Sequence, residues 1–134
     1  MIAKAVQKFT DVKIYKRVKN AMMAHTVLAN DVIKTLNENS PDLSNVIKAL
    51  LDQTTELADV FSYLNPCVLK WKMMKKMWLE HVNFIIEIAT LTYQGKYTEA
   101  NVFTNGHVKQ MQNMAIMIAD GEACSFCSEC KLKN

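Results

Sequence analysis

The chain has 134 residues, half of them hydrophobic and 22% charged, with a net charge of +3 and only 3 Gly and 2 Pro. That is enough chain for one sizeable core, too apolar for a disordered segment, and too poor in Gly and Pro for the tight turns of a sandwich or barrel. It contains no run of 18 apolar residues, which excludes a spanning helix. In chain order, residues 1–10 form an N-terminal arm with Ile2, Ala5, Val6 and Phe9 at helical spacing beside Lys4 and Lys8. That is too little apolar surface for stable membrane attachment, so the arm docks on its own bundle or a neighbour. The arm is also too short and too charged for a secretion signal, so an intracellular (cytoplasmic) or virion location is expected.

Thr10-Asp11 opens a predicted first helix over 11–38, with the stripe Tyr15, Val18, Met22, His25, Ala29, Val32 and Leu36. Ser40-Pro41-Asp42 supplies a cap, a Pro at the first helical position and an acid in the first turn. It opens a second helix over 41–64, with Ile47, Leu50, Thr54, Leu57 and Phe61. Asn65-Pro66 repeats the signal and opens a third over 66–94, with Trp71, Met74, Trp78, His81, Ile85, Ile88 and Thr92. Gly95 closes it. The fourth runs over 98–120 from Thr98-Glu99, with Thr104, Val108, Met111, Ala115 and Ile118, and Gly121 as its stop. Steps of three and four along each stripe are the seam of a bundle, and short connections make neighbours antiparallel. The sequence therefore predicts an all-α, up-down-up-down antiparallel four-helix bundle over 11–120, followed by a Cys-rich basic tail over 121–134.

His25 and His81 fall at mid-height on the first and third seams, level with Gln53, Thr54 and Glu56 on the second. One reading is a transition-metal site held by His25 and His81 with Glu56 as third ligand. The other is a polar layer in which neutral imidazoles pair with Thr54 or Gln53 and fix helix register. The Glu-x-x-His pattern of di-iron bundles is absent, because Glu80 and His81 are adjacent. His107, beside Gly106 near a helix start, is read as exposed.

Cys124, Cys127 and Cys130 form a C-x2-C-x2-C run that suits zinc, with Cys67 brought to the same end as fourth ligand. Disulfides, or free thiols in a frayed tail, are the alternatives. The same end gathers 12 basic residues against 5 acids, a local charge of +7 that leaves −4 for the remainder. Its candidates for binding are Lys13, Lys16, Arg17, Lys70, Lys72, Lys75 and Lys76. Such separation steers a protein toward a polyanion: a nucleic-acid backbone, an anionic membrane or an acidic protein. Arg17 is the chain's one arginine, which argues against base-specific reading. Tyr15, Trp71 and Trp78 interleave with the lysines but lie on the seams, and are read as core.

Four stretches carry a resemblance: Ala24-His25-Thr26-Val27, Leu50-Leu51-Asp52-Gln53-Thr54-Thr55-Glu56-Leu57, Trp78-Leu79-Glu80-His81-Val82 and Tyr93-Gln94-Gly95-Lys96. Through them residues 18–120 resemble a poorly characterised family of small four-helix-bundle proteins from bacteria and large DNA viruses. That family has a His on its first and third helices. Where it shows an aromatic His-x-x-Trp-Thr stretch, this chain has His25-Thr26-Val27-Leu28-Ala29. The resemblance implies the fold and singles out the two histidines, but implies no reaction. A bias toward Lys (15 residues) and Asn (11 residues) fits an AT-rich genome and looks like a viral member.

Too few glycines are present for a P-loop or dinucleotide fingerprint, and no nucleophile has a base beside it. An enzyme is not expected. The expected function is that of a structural or interaction protein, virion-associated by the resemblance, meeting a protein partner, a second copy or a polyanion through its basic Cys-bearing end. The alternatives are a metal-binding bundle using His25 and His81, and a redox or zinc sensor using the tail cysteines.

Overall fold

The computed structural model describes residues 12–124, which form four helices: α1 (Val12–Asn37), α2 (Leu43–Leu64), α3 (Trp71–Tyr93) and α4 (Tyr97–Cys124). Among the described residues there is no strand, and no helix is long and apolar enough to cross a membrane. Each helix packs most extensively on its neighbours in the chain. α1 also reaches α3 directly, whereas α1 and α4 barely touch, which leaves one side of the bundle open.

Two apolar clusters fill the interior. The larger joins Val18 and Ala21 of α1, Leu57, Ala58, Val60 and Phe61 of α2, Leu69, Met74 and Trp78, and Met114 and Ile118 of α4. The smaller joins Val32, Leu36, Leu50 and Val82. Full burial of side chains such as Phe61, Leu57 and Leu50 contributes about 1.5–3 kcal/mol each. The stripes read on the first three helices supply most of these residues.

Local chemistry sets the helix ends. α1 and α3 close in the same way. Asn39 (φ 48°) and Gly95 (φ 74°) take the left-handed conformation. The next residue's N–H then donates five residues back, from Ser40 to Thr35 O at 3.0 Å and from Lys96 to Leu91 O at 2.9 Å. Both are Schellman closures. The Ser40-Pro41-Asp42 signal is displaced: Ser40 Oγ accepts from the Asp42 N–H at 3.3 Å, but these residues form a turn and α2 begins only at Leu43, with Asp42 at its N-cap position and no side-chain cap.

Three further expectations are corrected. The Asn65-Pro66 signal caps a single turn instead of a continuous helix: Asn65 Oδ1 accepts from the N–H groups of Cys67 and Val68. Lys70 is then extended, with ψ 133°, and α3 starts at Trp71. Gly121 does not stop the fourth helix, which runs on through Cys124, so the tail begins later than residue 121. The glycine is needed for close approach instead, since a Cβ there would lie 2.6 Å from Leu69 Cγ, and Asn65 Nδ2 donates to Gly121 O at 2.8 Å. Finally, the inward face of α4 is Ala100, His107, Gln110, Met114 and Ile118, while Thr104, Val108, Met111 and Ala115 are exposed. α4 carries apolar side chains all round, so its stripe is ambiguous by one residue, or 100° of helix.

The two helix pairs α1–α2 and α3–α4 share a layout. Val18, Ala21, His25 and Asn39 correspond to Met74, Met77, His81 and Gly95, each 56 residues on; Gln53, Leu57 and Phe61 correspond to Gln110, Met114 and Ile118, each 57 residues on. One pair breaks the match: the fully buried Leu50 corresponds to His107.

Candidate functional site

Mid-height of the bundle holds three histidines in a row. His25 and His81 are buried, with 5% and 6% of their surface exposed, and their ring centroids are 5.3 Å apart. Trp78 stands edge-on to both, at 5.6 Å and 5.5 Å. On the far side of His81, His107 of α4 brings Nε2 to 2.9 Å from His81 Nδ1 and stacks on Phe84. Gly106 makes room for that ring: a Cβ at 106 would lie 3.0 Å from Phe84 Cε1. His107 is thus half-buried and part of the layer, correcting the expectation that it is exposed. The one signal of this in the sequence is a glycine inside a helix, which marks close approach.

In each helix pair a buried glutamine ties one helix to the other beside the histidine. Gln53 Nε2 donates to Ala21 O at 2.8 Å, and Gln110 Nε2 donates to Met77 O at 2.9 Å. Ala21 and Met77 are each four residues before the histidine on the neighbouring helix. Each amide favours the protonated imidazole, but burial outweighs it. Burial lowers the pKa of His25. His81 is lowered to about 4, by burial first and then by the charges of His107 and His25. Burial also lowers His107. All three rings are therefore neutral near pH 7. His25 Nδ1, Gln53 Oε1, Trp78 Nε1 and Gln110 Oε1 are buried without a hydrogen-bond partner, a concentration of unmet polar atoms that native cores seldom carry.

The other residues singled out in the sequence lie as follows. Thr54 is buried, but its hydroxyl donates to Leu51 O at 2.6 Å within its own helix and not to a histidine. Glu56 is exposed on α2. Among the described residues no group of three or more His, Cys, Asp or Glu is arranged to hold a metal ion. Cys67 is a half-buried free thiol in the turn that Asn65 and Leu69 seat against Gly121, three residues before Cys124. Cys127 and Cys130 lie outside the described residues, as does the arm over 1–10.

Beside the layer runs an apolar groove of about 410 Å³. Ile33, Leu36 and Asn37 of α1, Ile85, Ile88, Ala89, Thr92 and Tyr93 of α3, and His107 of α4 line it.

The basic end is built on exposed aromatics. Tyr63 is 62% exposed, with the Arg17 guanidinium 5.7 Å from its ring centre. Trp71 is 39% exposed, with Lys75 Nζ 5.0 Å from its ring centre and Nε1 donating to Asp59. This corrects its place on the seam: because α3 starts only at Trp71, the ring projects past the core. Lys13, Lys16, Lys70, Lys72 and Lys76 are exposed around these pairs. No family model matches the chain, and no curated protein or solved structure matches it either.

Proposed function

We propose that this is a non-enzymatic interaction protein that grips an anionic partner, foremost a phosphate backbone, through the basic end of an up-down-up-down bundle. The large apolar cluster supports that topology: it draws on the first halves of α1 and α3 and the second halves of α2 and α4. This brings Arg17 and Lys70–Lys76 to one end. The observation that carries the functional reading is the pairing of cation with exposed aromatic at Arg17–Tyr63 and Lys75–Trp71. The rings hold the cations extended over an apolar surface, and an exposed π-face beside lysines suits the stacking and charge of single-stranded nucleic acid. With Lys in place of Arg almost throughout, contact is to backbone charge and indifferent to base sequence.

The test is a variant with Lys70, Lys72, Lys75 and Lys76 all replaced by Glu, compared with wild type for retention on immobilised single-stranded DNA. Retention falls in the variant while far-UV circular dichroism stays unchanged. Equal retention removes the proposal. Retention on anionic vesicles but not on DNA replaces the partner with a membrane surface.

A further inference from the structure

The two matching helix pairs differ most on the side of the bundle between α1 and α4. With α1 corresponding to α3 and α2 to α4, contact of α4 with α1 is the counterpart of contact of α2 with α3. The chain makes the second extensively and the first hardly at all.

The faces for the missing contact are nevertheless present. α2 and α3 meet at Phe61 and Trp78, whose ring centroids are 5.4 Å apart. Thr54 and Ala58 share that face of α2, seven and three residues before Phe61, and Val82 shares that face of α3, four residues after Trp78. Thr54, Ala58 and Val82 are fully buried. By the same offsets of 57 and 56 residues their counterparts are Met111, Ala115 and Thr26, and all three are exposed. Leu51 and Ala89 pack against the smaller apolar cluster, whereas their counterparts Val108 and Ile33 are exposed. Ile33 of α1 and His107 of α4 both line the apolar groove, and Met111 lies one turn beyond His107, so these residues flank the open side. On α4 they complete the uncharged stripe Thr104, Val108, Met111 and Ala115, which has the spacing of a helix seam and no helix of its own chain to meet.

We infer that a second copy of this chain covers the open side, as a two-fold dimer in which α4 of each copy packs on α1 of the other in the way α2 packs on α3. With the up-down-up-down order proposed above, a two-fold axis parallel to the helices sets α4 antiparallel to the partner's α1 at matching height. The register follows from the internal contact. Ile118 meets the partner's Met22 as Phe61 meets Trp78, Ala115 meets the partner's Thr26, and Val108 meets the partner's Ile33. The occupant follows from complementarity: the chain carries both halves of an interface that it already makes once internally, and an isologous pairing uses both halves of both copies. Head-to-tail repetition of the same contact would leave one half open at each end and would not close. The axis also keeps the two basic ends on the same side of the dimer.

Sedimentation equilibrium of the full-length protein tests this, and a dimer is expected. Met111→Glu, at an exposed position, places a charge in the centre of each α4–α1 contact and should weaken self-association on the order of a hundredfold. Val102→Glu, exposed elsewhere on α4, should leave it unchanged. The register is read by mixing Thr26→Cys chains with Ala115→Cys chains, each with its native cysteines replaced by Ser. A disulfide-linked dimer should form in the mixture and in neither chain alone. A monomeric wild type, assemblies larger than two, equal effects of the two Glu variants, or no disulfide in the mixture would each overturn the inference. The wild-type measurement stands even where a variant fails to fold. The dimer rests on the helix order and not on the anionic partner, so monomeric protein that still binds single-stranded DNA removes the dimer alone.

Discussion

His107 Nε2 lies 2.9 Å from His81 Nδ1, tying α4 to α3 at the level where Gln53 ties α2 to α1. The layer is therefore a set of crosslinks between neighbouring helices as well as a cluster of titratable rings, and both properties have measurable consequences.

The first concerns pH. His81 titrates near 4 in the folded protein and near 6.5 unfolded, so the unfolded chain binds the extra proton between those values. Its contribution is therefore intact above about pH 6.5 and falls away as pH drops toward 4, a change on the order of 3 kcal/mol. His25 and His107, also lowered, add to the same trend. Urea unfolding at pH 7.5 and 4.5 should show a larger drop for wild type than for His81→Gln. Equal drops would mean that the carboxylates, and not this ring, govern acid sensitivity.

The second concerns proton placement. At 2.9 Å, one of His107 Nε2 and His81 Nδ1 donates to the other, so in the neutral pair only one of these two nitrogens carries hydrogen. Imidazole nitrogen shifts report this directly. In His107→Leu the His81 Nδ1 signal should move, because its partner is gone. Hydrogen on both nitrogens or on neither in neutral wild type would contradict the bond.

Gln53 provides the third. Its amide donates to Ala21 O inside the core, and Gln53→Ala removes that bond and leaves a void. The expected cost is about 2–3 kcal/mol, read from chemical denaturation. The exposed Thr26→Ala, which removes only a bond within its own helix to Met22 O, should stay within about 0.5 kcal/mol.

Two glycines make a fourth, contrasting pair. Exposed mid-helix glycines usually gain up to about 1 kcal/mol on replacement by Ala. Gly121→Ala should instead destabilise by about 1–3 kcal/mol, because the new methyl meets Leu69, and Leu69→Ala in the same chain should recover part of that stability. Gly95→Ala meets nothing within 4 Å, and its cost of about 1 kcal/mol comes from φ 74° alone. Similar behaviour of the two variants under Leu69→Ala would contradict the close-approach account of Gly121.

The all-helical fold and the seams of α1 and α2 are legible in the sequence because large apolar residues there recur at steps of three and four with polar faces between; on α3 the stripe holds only through Met74, Trp78 and His81, since Trp71 and Thr92 are exposed and Ile85 and Ile88 line the groove. α4 is not, since Val102, Phe103, Val108, Met111 and Ile116 put apolar side chains on its outer surface while His107 and Gln110 occupy the inner one. His25, His81 and Gln53 can be placed at one level from spacing alone, but the bond from Gln53 to Ala21 O cannot. His107 cannot, because its place in the layer depends on the rotation of α4. Asn65-Pro66 shows a local cap that holds for one turn and then yields to the tertiary packing of Leu69 on Gly121.

The most direct test of the proposed function is the salt dependence of binding to single-stranded DNA. If the basic end grips phosphates, the logarithm of the affinity falls linearly with the logarithm of salt concentration. Replacing Lys70, Lys72, Lys75 and Lys76 by Glu then makes that slope shallower by about 0.7 for each phosphate no longer neutralised. No measurable binding at low salt, or an unchanged slope in the variant, would contradict it.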